Sequence, residues 1–333
     1  MSGDIVILHN PVPEDAHKDE ADVLIQAREI SKALAELGYT PHMLPFSLSS
    51  QDCMRTLNML VPLCVFNIVE SLEGDGRLIH VACSYLDHLG IPYTGAPAEA
   101  MFLTSHKVLA KRWMLLNEIP TPEWIGHGPA DPVELPLPAP CIIKALWEEA
   151  SIGLDESSVV MIEGPGMLKA LVEKRSEELK TQCFAERFID GREFNLSLLA
   201  TTSGVEVLPP AEIVFDFPEH KARIVDYRAK WDEASPEYKD TQRSFEFSSS
   251  DEVLLGRLKE TALKCWRYFD LRGYARVDFR VDTEGLPYVL EINANPCISP
   301  DSGFVAAAHR SGITYGEVIE RILADSLSAE QST

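Results

Sequence analysis

Arg276-Val277-Asp278-Phe279-Arg280-Val281-Asp282, a turn, and then Tyr288-Val289-Leu290-Glu291-Ile292-Asn293-Ala294-Asn295-Pro296 form the most informative stretch of this chain. Period-two alternation puts Arg276, Asp278 and Arg280 on one face of the first strand and Val277, Phe279 and Val281 on the other. In the second strand Glu291, Asn293 and Asn295 share a face, opposite Leu290, Ile292 and Ala294. A turn symmetric about Glu284-Gly285 sets Asp278 across from Glu291 and Arg276 across from Asn293. Carboxylates so opposed stand ~4.5–5.5 Å apart at Cβ and repel one another. Two readings are open. A divalent cation removes the repulsion, and Asp, Glu and Asn oxygens are what magnesium takes. Alternatively the face is simply solvated, its carboxylates paired with Arg276 and Arg280.

Outward from this hairpin, short apolar runs alternate with amphipathic stretches. The spacing predicts strands at Ile5–Leu8 and Leu63–Val69, a helix over Asp22–Leu37 ending at Gly38, a helix over Ile79–Leu89 stopped by Gly90, and a short strand Ile91–Gly95. Strand and helix in alternation predict a doubly wound parallel sheet of the α/β class. Beyond it the pattern gives a basic helix Ser105–Asn117, a Pro- and Gly-rich loop Gly126–Pro140, a buried strand Cys141–Lys144, a helix Met167–Leu179 and a strand Cys183–Ile189. Strands then dominate (Arg192–Ala200, Val205–Phe215, Ala275–Asp282, Pro287–Ile292), interrupted by a helix Asp251–Tyr268. Two short helices close the chain, and the Ser-rich tail after Ala324 is expected to fray. Three lobes follow, at residues 1–100, 101–189 and 190–333, with ligand expected in the clefts between them.

The 333 residues carry 30 Lys and Arg against 52 Asp and Glu, a net charge of −22. Such a field disfavours nucleic acid or an anionic membrane as partner, while a few local cations with magnesium still allow a nucleotide. Seven cysteines without a Cys-x-x-Cys pair suggest neither a zinc site nor a disulfide framework. Reduced thiols and a cytoplasmic location are expected, and no apolar run reaches membrane-spanning length. The first strand lacks a Gly-x-Gly-x-x-Gly turn, which argues against a dinucleotide-binding lobe.

Lys144 ends the apolar strand Cys141-Ile142-Ile143, where a rigid element would present an ammonium to a phosphate. Lys107 lies early in a basic helix, where by itself a solvated surface lysine is the commoner reading and a phosphate ligand the alternative. Ser151-Ile152-Gly153 is a candidate phosphate-covering loop. Glu186 and Glu193 flank Gly191 at a strand crossing, as acceptors for an amino group and a ribose or as ordinary exposed acids.

These pieces, in this order, resemble the D-alanine–D-alanine ligases and their relatives in the ATP-grasp superfamily. The resemblance rests on Val65-Phe66-Asn67, Glu73-Gly74-Asp75-Gly76, Leu89 to Gly95, His106 to Lys111, Glu186 to Asn195, Asp226-Tyr227-Arg228-Ala229-Lys230-Trp231, and Arg276, Asp278, Glu291 and Asn293, across residues 60 to 320. It implies a two-lobed ATP-grasp fold behind the N-terminal domain. It also implies an ATP- and magnesium-dependent ligase, with manganese as an alternative metal and one or two ions on Asp278, Glu291 and Asn293. By resemblance, adenine lies at the hinge, its edge read by backbone groups of Arg187, Phe188 and Ile189 and its amino group by Glu186. Glu193 meets ribose, Lys107, Lys144 and Ser151 meet phosphates, and Lys230 meets phosphate and substrate. Arg276 stabilises a tetrahedral oxyanion, and Ser302 with Lys230 holds the acceptor's carboxylate. Substrates are amino acids or related carboxylates, D-alanine among them, and a homodimer is what the family implies.

The chain departs from the pattern at both ends of the expected substrate site. The Ser-x-Glu that orients the first D-alanine is replaced by Asn10-Pro11-Val12-Pro13-Glu14 and an acidic stretch through Glu20 and Asp22. The donor loop reads Lys144-Ala145-Leu146-Trp147-Glu148-Glu149-Ala150-Ser151-Ile152-Gly153, and Cys297 stands where Gly is usual, as a small buried residue or a reactive thiol. The alternative to a ligase is a nucleotide-binding regulatory or scaffold protein that has lost turnover.

Overall fold

Alternation in the first apolar run builds the N-terminal lobe. In the computed structural model, which describes residues 3–12, 18–49, 51–125, 135–147, 154–218, 221–232 and 234–329, β1 (Asp4–His9) is followed by α1 (Lys18–Glu36), β2 (Thr40–Pro45), α2 (Gln51–Leu60) and β3 (Cys64–Asn67). The strands form a parallel sheet in the order β2-β1-β3. Ile5 and Ile7 point to one face, with Val23, Ala27 and Ile30 of α1. Val6 and Leu8 point to the other, with Leu57 of α2 and Leu86 of α3 (Ile79–Leu89). Helices on both faces are the predicted doubly wound arrangement. Gly90 ends α3 in a left-handed conformation, φ +65°, which a residue without Cβ adopts readily. The segment Ile91–Gly95, read as a strand, reduces to a single parallel bridge between Val65 and Tyr93.

The helix expected over Ser105–Asn117 is α5 (Lys107–Leu116), and a separate helix that the sequence reading did not assign, α4 (Ala98–Ser105), precedes it. They break at His106, whose extended backbone (φ −89°, ψ 95°) starts α5 and whose ring accepts a hydrogen bond from the Leu109 amide. A four-stranded antiparallel sheet follows, made of β4 (Trp124–Ile125), β5 (Ala139–Ala145), β6 (Val159–Ile162) and β7 (Cys183–Arg187) in the order β4-β7-β5-β6. One face is covered by α6 (Pro165–Leu179).

A larger antiparallel sheet carries the rest: β8 (Arg192–Thr201), β9 (Gly204–Val207), β10 (Ala211–Phe215), then α7 (Tyr227–Trp231), α8 (Pro236–Lys239), β11 (Thr241–Ser244), α9 (Glu252–Tyr268), β12 (Tyr274–Val281) and β13 (Pro287–Asn293). Its order is β11-β10-β8-β12-β13, with β9 also on β8. Val205–Phe215, expected as one strand, is split because Pro209 and Pro210 have no amide to give the ladder. The closing helices α10 (Gly303–Arg310) and α11 (Tyr315–Ala329) return to pack on the N-terminal sheet. The Ser-rich tail is thus helical through Ala329; Ser326 donates to the Leu323 carbonyl and packs against Cys64. None of the described helices is long and apolar enough to cross a membrane.

The β12–β13 hairpin pairs Asp278 with Glu291 and Arg276 with Asn293, as expected. The route differs. Nearest the turn, Phe279 pairs with Val289 and Val281 with Pro287, so the turn is not symmetric about Glu284-Gly285, and a bulge at Leu290 restores the register. A bulge turns two successive residues to one face. Leu290, expected on the core side, accordingly lines the same cavity as Glu291.

Gly191 joins β7 to β8 where the two antiparallel sheets meet. Its φ is +152°, and a Cβ there would stand 2.0 Å from the Val281 carbonyl oxygen. Gly191→Ala is expected to lose about 3 kcal/mol or more of stability, because backbone on both sides must move. Thermal unfolding beside the wild type checks this; an unchanged midpoint would show that the crossing relaxes freely.

Candidate active site

The three lobes enclose a cavity of about 580 Å³. Its floor is the polar face of β12 and β13, its roof β5 and β7 with the Arg187–Ile189 segment, and its far wall α7, β11 and the start of α10. Lys107, Lys144, Glu186, Arg187, Phe188, Ile189, Glu193, Lys230, Arg276, Asp278, Glu291, Asn293 and Ser302 all line it. Ser151, the remaining candidate, lies outside the described residues.

On the floor, Arg276 donates Nε to Asp278 Oδ1 (2.7 Å) and Nη2 to Oδ2 (2.8 Å), and Asn195 Nδ2 donates to Oδ1 at 2.8 Å. Glu291 meets Lys107 Nζ at 3.3 Å. Burial raises the Glu291 pKa, but Lys107, Lys230, Lys144 and Arg276 outweigh it and hold it at about 2. Arg280 does not serve this pair: it forms an ion pair with Glu193 at 2.8 Å and lies 5.6 Å from the Phe188 ring centroid. Burial nevertheless keeps the Glu193 carboxyl above its ordinary value. The opposed carboxylates are thus surrounded by fixed cations rather than solvated.

On the roof, Glu186 is 1% exposed and bridges two lysines, Lys144 at 2.5 Å and Lys111 at 2.6 Å. Burial pushes the Glu186 carboxyl up, yet Lys111 and Lys144 together bring it below its usual range. Lys111 is equally buried and donates to Thr121 Oγ1 at 2.7 Å. Sequence reasoning gave Lys111 no role. The signal available was its spacing of four from Lys107, which puts both on one helix face. At the hinge, the amide of Arg187 donates to the Glu123 carbonyl and that of Phe188 to the Pro140 carbonyl. Those two N–H groups are therefore spent on the protein. Ile189 is the one of the three whose amide is left to read a ligand edge among the described residues.

Lys230, on α7, forms no ion pair with any described residue. Burial and then Arg276 push its ammonium below the usual lysine range, against Glu291, Asp278 and Glu193. Asp226 caps α7 by accepting from the Ala229 amide at 2.8 Å, which fixes where Lys230 emerges. Ser302 caps α10 in the same way, through Val305.

Near Cys297 the cavity is acidic. Asp22 and Glu70 line it, the second unforeseen in the sequence. Asp22 accepts from Ser299 Oγ at 2.9 Å and from Cys297 Sγ at 3.2 Å. Burial, Asp22 and Glu70 all raise the Cys297 thiol pKa, which opposes the thiolate a reactive cysteine needs. None of the seven cysteines is in a disulfide.

Comparison with known proteins accords with this geometry. Residues 127–324, more than half of the chain, match the family described as D-ala D-ala ligase C-terminus. A D-alanine–D-alanine ligase of Polaromonas sp. is 31% identical over 317 residues, covering 93% of this chain and 87% of that protein. A Sinorhizobium fredii protein, y4sG, is 33% identical over 261 residues, 78% of this chain and 73% of that one. Among solved structures, the D-alanine–D-alanine ligase of Bacillus anthracis complexed with ATP superposes with a TM-score of 0.72 at 19% identity, covering 99% of both chains. The chain belongs to the D-alanine–D-alanine ligase family of ATP-dependent ATP-grasp ligases.

Proposed function

We propose that this chain joins the carboxylate of one amino acid to the amine of another, with D-alanine the first candidate for both, through an acyl phosphate made from ATP. The observation that carries the reading is the set of charges that line this cavity. Asp22 and Glu70 supply acids beside Cys297, Lys230, Arg276 and Ser302 supply groups suited to a carboxylate, and Asp278 and Glu291 face each other on the floor of the same cavity. An amino-acid donor would set its ammonium toward the acids, and an acceptor would set its carboxylate toward the cations. The three sheets, one within each of residues 1–100, 101–189 and 190–333, support the same three-part division.

The floor fits magnesium by donor chemistry: the directly opposed carboxylates of Asp278 and Glu291, with the Asn293 amide two residues along β13, are oxygen donors all. Among the described residues no three His, Cys, Asp or Glu side chains gather as a metal group, so Asn293 and ligand oxygens complete the set. When bound there, the ion would neutralise charge on the transferring phosphate. The chain's own residues do the rest. Lys107 and Lys144 hold phosphate oxygens, and the Ile189 amide with Glu186 meets the base. The donor carboxylate oxygen attacks the γ-phosphorus, and ADP leaves. The acceptor amine then attacks the acyl carbon, Arg276 faces the resulting oxyanion, and phosphate leaves as the amide forms. Fixed cations aimed at developing charge supply most of the acceleration.

Phosphate release with ATP, magnesium and amino-acid pairs including D-alanine tests the reading. Release should require both amino acids, stop on chelation and return with magnesium or manganese. Absence of release and of dipeptide by mass spectrometry, with every pair of a pooled mixture, would sink it.

A further inference from the structure

The acceptor end holds a cation that the reading above does not use. Arg243 stands on β11, the edge strand of the large sheet, and lines the cavity beside Asp301, Ser302 and Gly303. Gly303 has no side chain to hold it off. A Cβ there would stand 3.1 Å from one terminal nitrogen of Arg243 and 3.3 Å from Cζ and Nε, so the guanidinium lies over the first residue of α10.

The two cations assigned above to the acceptor, Arg276 and Lys230, both face carboxylates of the floor. Arg276 grips Asp278 through two hydrogen bonds. Lys230 is faced by Glu291, Asp278 and Glu193. Arg243 forms no ion pair with any described carboxylate. Arg243 is exposed on the cavity wall; Asp301 acts on it from a distance, while partial desolvation and Arg276 hold its guanidinium below the usual arginine range. A planar fork of donors, short of a counter-ion and set over a helix start, suits a carboxylate held by two hydrogen bonds.

We propose that Arg243 binds a carboxylate of the acceptor substrate and makes the enzyme prefer an anionic acceptor to its amide. The assignment rests on the ligase reading and adds a specificity-determining residue to it. Arg243 touches neither the opposed carboxylates of the floor nor the lysines of the roof, so nucleotide uptake should not depend on it.

The test uses the full chain with Arg243→Ala and Arg243→Lys. Acceptors are D-alanine with D-alaninamide, to probe the α-carboxylate, and D-aspartate with D-asparagine, to probe a side-chain carboxylate. Phosphate release is measured with ATP and magnesium, and acceptor binding by calorimetry with a non-hydrolysable ATP analogue and magnesium. Wild type should favour the carboxylate member of at least one pair. Arg243→Ala should raise its KM about 10- to 100-fold, the worth of a charged hydrogen-bonded contact. The amide's KM and kcat for both should stay within about threefold, and Arg243→Lys should keep part of the preference. The pair that loses its preference tells which carboxylate is held. No preference in the wild type, or equal change in both members of each pair, overturns the assignment even where turnover is normal. Conversely, carboxylate selectivity in binding that Arg243→Ala removes, without turnover by the wild type, keeps the assignment and removes the ligase reading.

Discussion

Asp278→Asn and Glu291→Gln should each lower ATP-dependent phosphate release by about 10³-fold or more, the scale of losing a preorganised charge at a phosphoryl-transfer site. The two residues face each other across the β12–β13 pair, and among the described residues no third His, Cys, Asp or Glu joins them as a metal-holding group. Each variant also releases a cation. Asp278→Asn weakens the two-bond grip of Arg276, which is then less fixed toward the oxyanion. Glu291→Gln leaves Lys107, Lys230, Lys144 and Arg276 facing one another without the anion they share. The Glu291 pKa, held at about 2, lies below its ordinary 4.5, so the folded state gains stability from the ionised form above the ordinary value and loses it as pH falls through about 2. Glu291→Gln should therefore destabilise the chain at pH 7 and converge on wild type in strong acid. Asp278→Asn separates the chemistry from the fold: near-normal melting with lost release is the expected pair of results. A scaffold that merely holds nucleotide predicts the reverse, with cellular function intact in both variants, and release within tenfold of wild type would remove the metal-clamp reading.

How far the sequence spoke for the structure is clearest in that hairpin. The polar alternation of Arg276, Asp278 and Arg280 is a local property, and it gave the face and the pairing of Asp278 with Glu291. The bulge at Leu290 is set by how the turn around Asp282 closes, where the Asp282 side chain accepts from both the Glu284 and the Leu286 amides. No periodicity encodes that, so Leu290 was assigned to the wrong face. The N-terminal sheet was legible for the same reason as the hairpin, since Ile5–Leu8 has to feed two helical layers. The break at His106 was not, because a histidine ring that caps a helix looks in sequence like any helical polar residue. Arg243 and Glu70 belong to the site through partners far along the chain, Gly303 for the one and Cys297 for the other, and nothing near them in sequence distinguishes them from surface charges; Lys111 offered only its spacing from Lys107. Lys107 reads the same way in isolation; only the colinear order of motifs lifted it, and the structure then set it against Glu291.

Glu186→Ala should be the most destabilising substitution in the roof, at about 3–5 kcal/mol, the range for stripping one partner from a buried ion cluster. Glu186 and Lys111 are each 1% exposed, and Glu186 is the one described carboxylate in ion-pair contact with both Lys111 and Lys144. Lys111 keeps Thr121, the Pro122 carbonyl and the Trp124 face, 5.7 Å from its nitrogen, but these are neutral. Burial already presses the Lys111 pKa down, with Glu186 the first force restoring it. Without Glu186 that pKa must fall further. A lysine whose folded pKa lies below its unfolded value binds fewer protons when folded, so stability rises with pH. The deficit of Glu186→Ala should therefore shrink between pH 7 and 9.5, the variant's stability rising more steeply than that of the wild type. The pair Lys111→Met with Glu186→Gln should recover part of the loss, since it replaces a buried charge by apolar volume and leaves Lys144 to solvent and phosphate. Melting at the two pH values, beside ATP calorimetry, reads all of this. A variant that melts within a degree or two of wild type at pH 7, with no pH trend, would mean water reaches these lysines, and the roof would then be too open to present a fixed charge to phosphate.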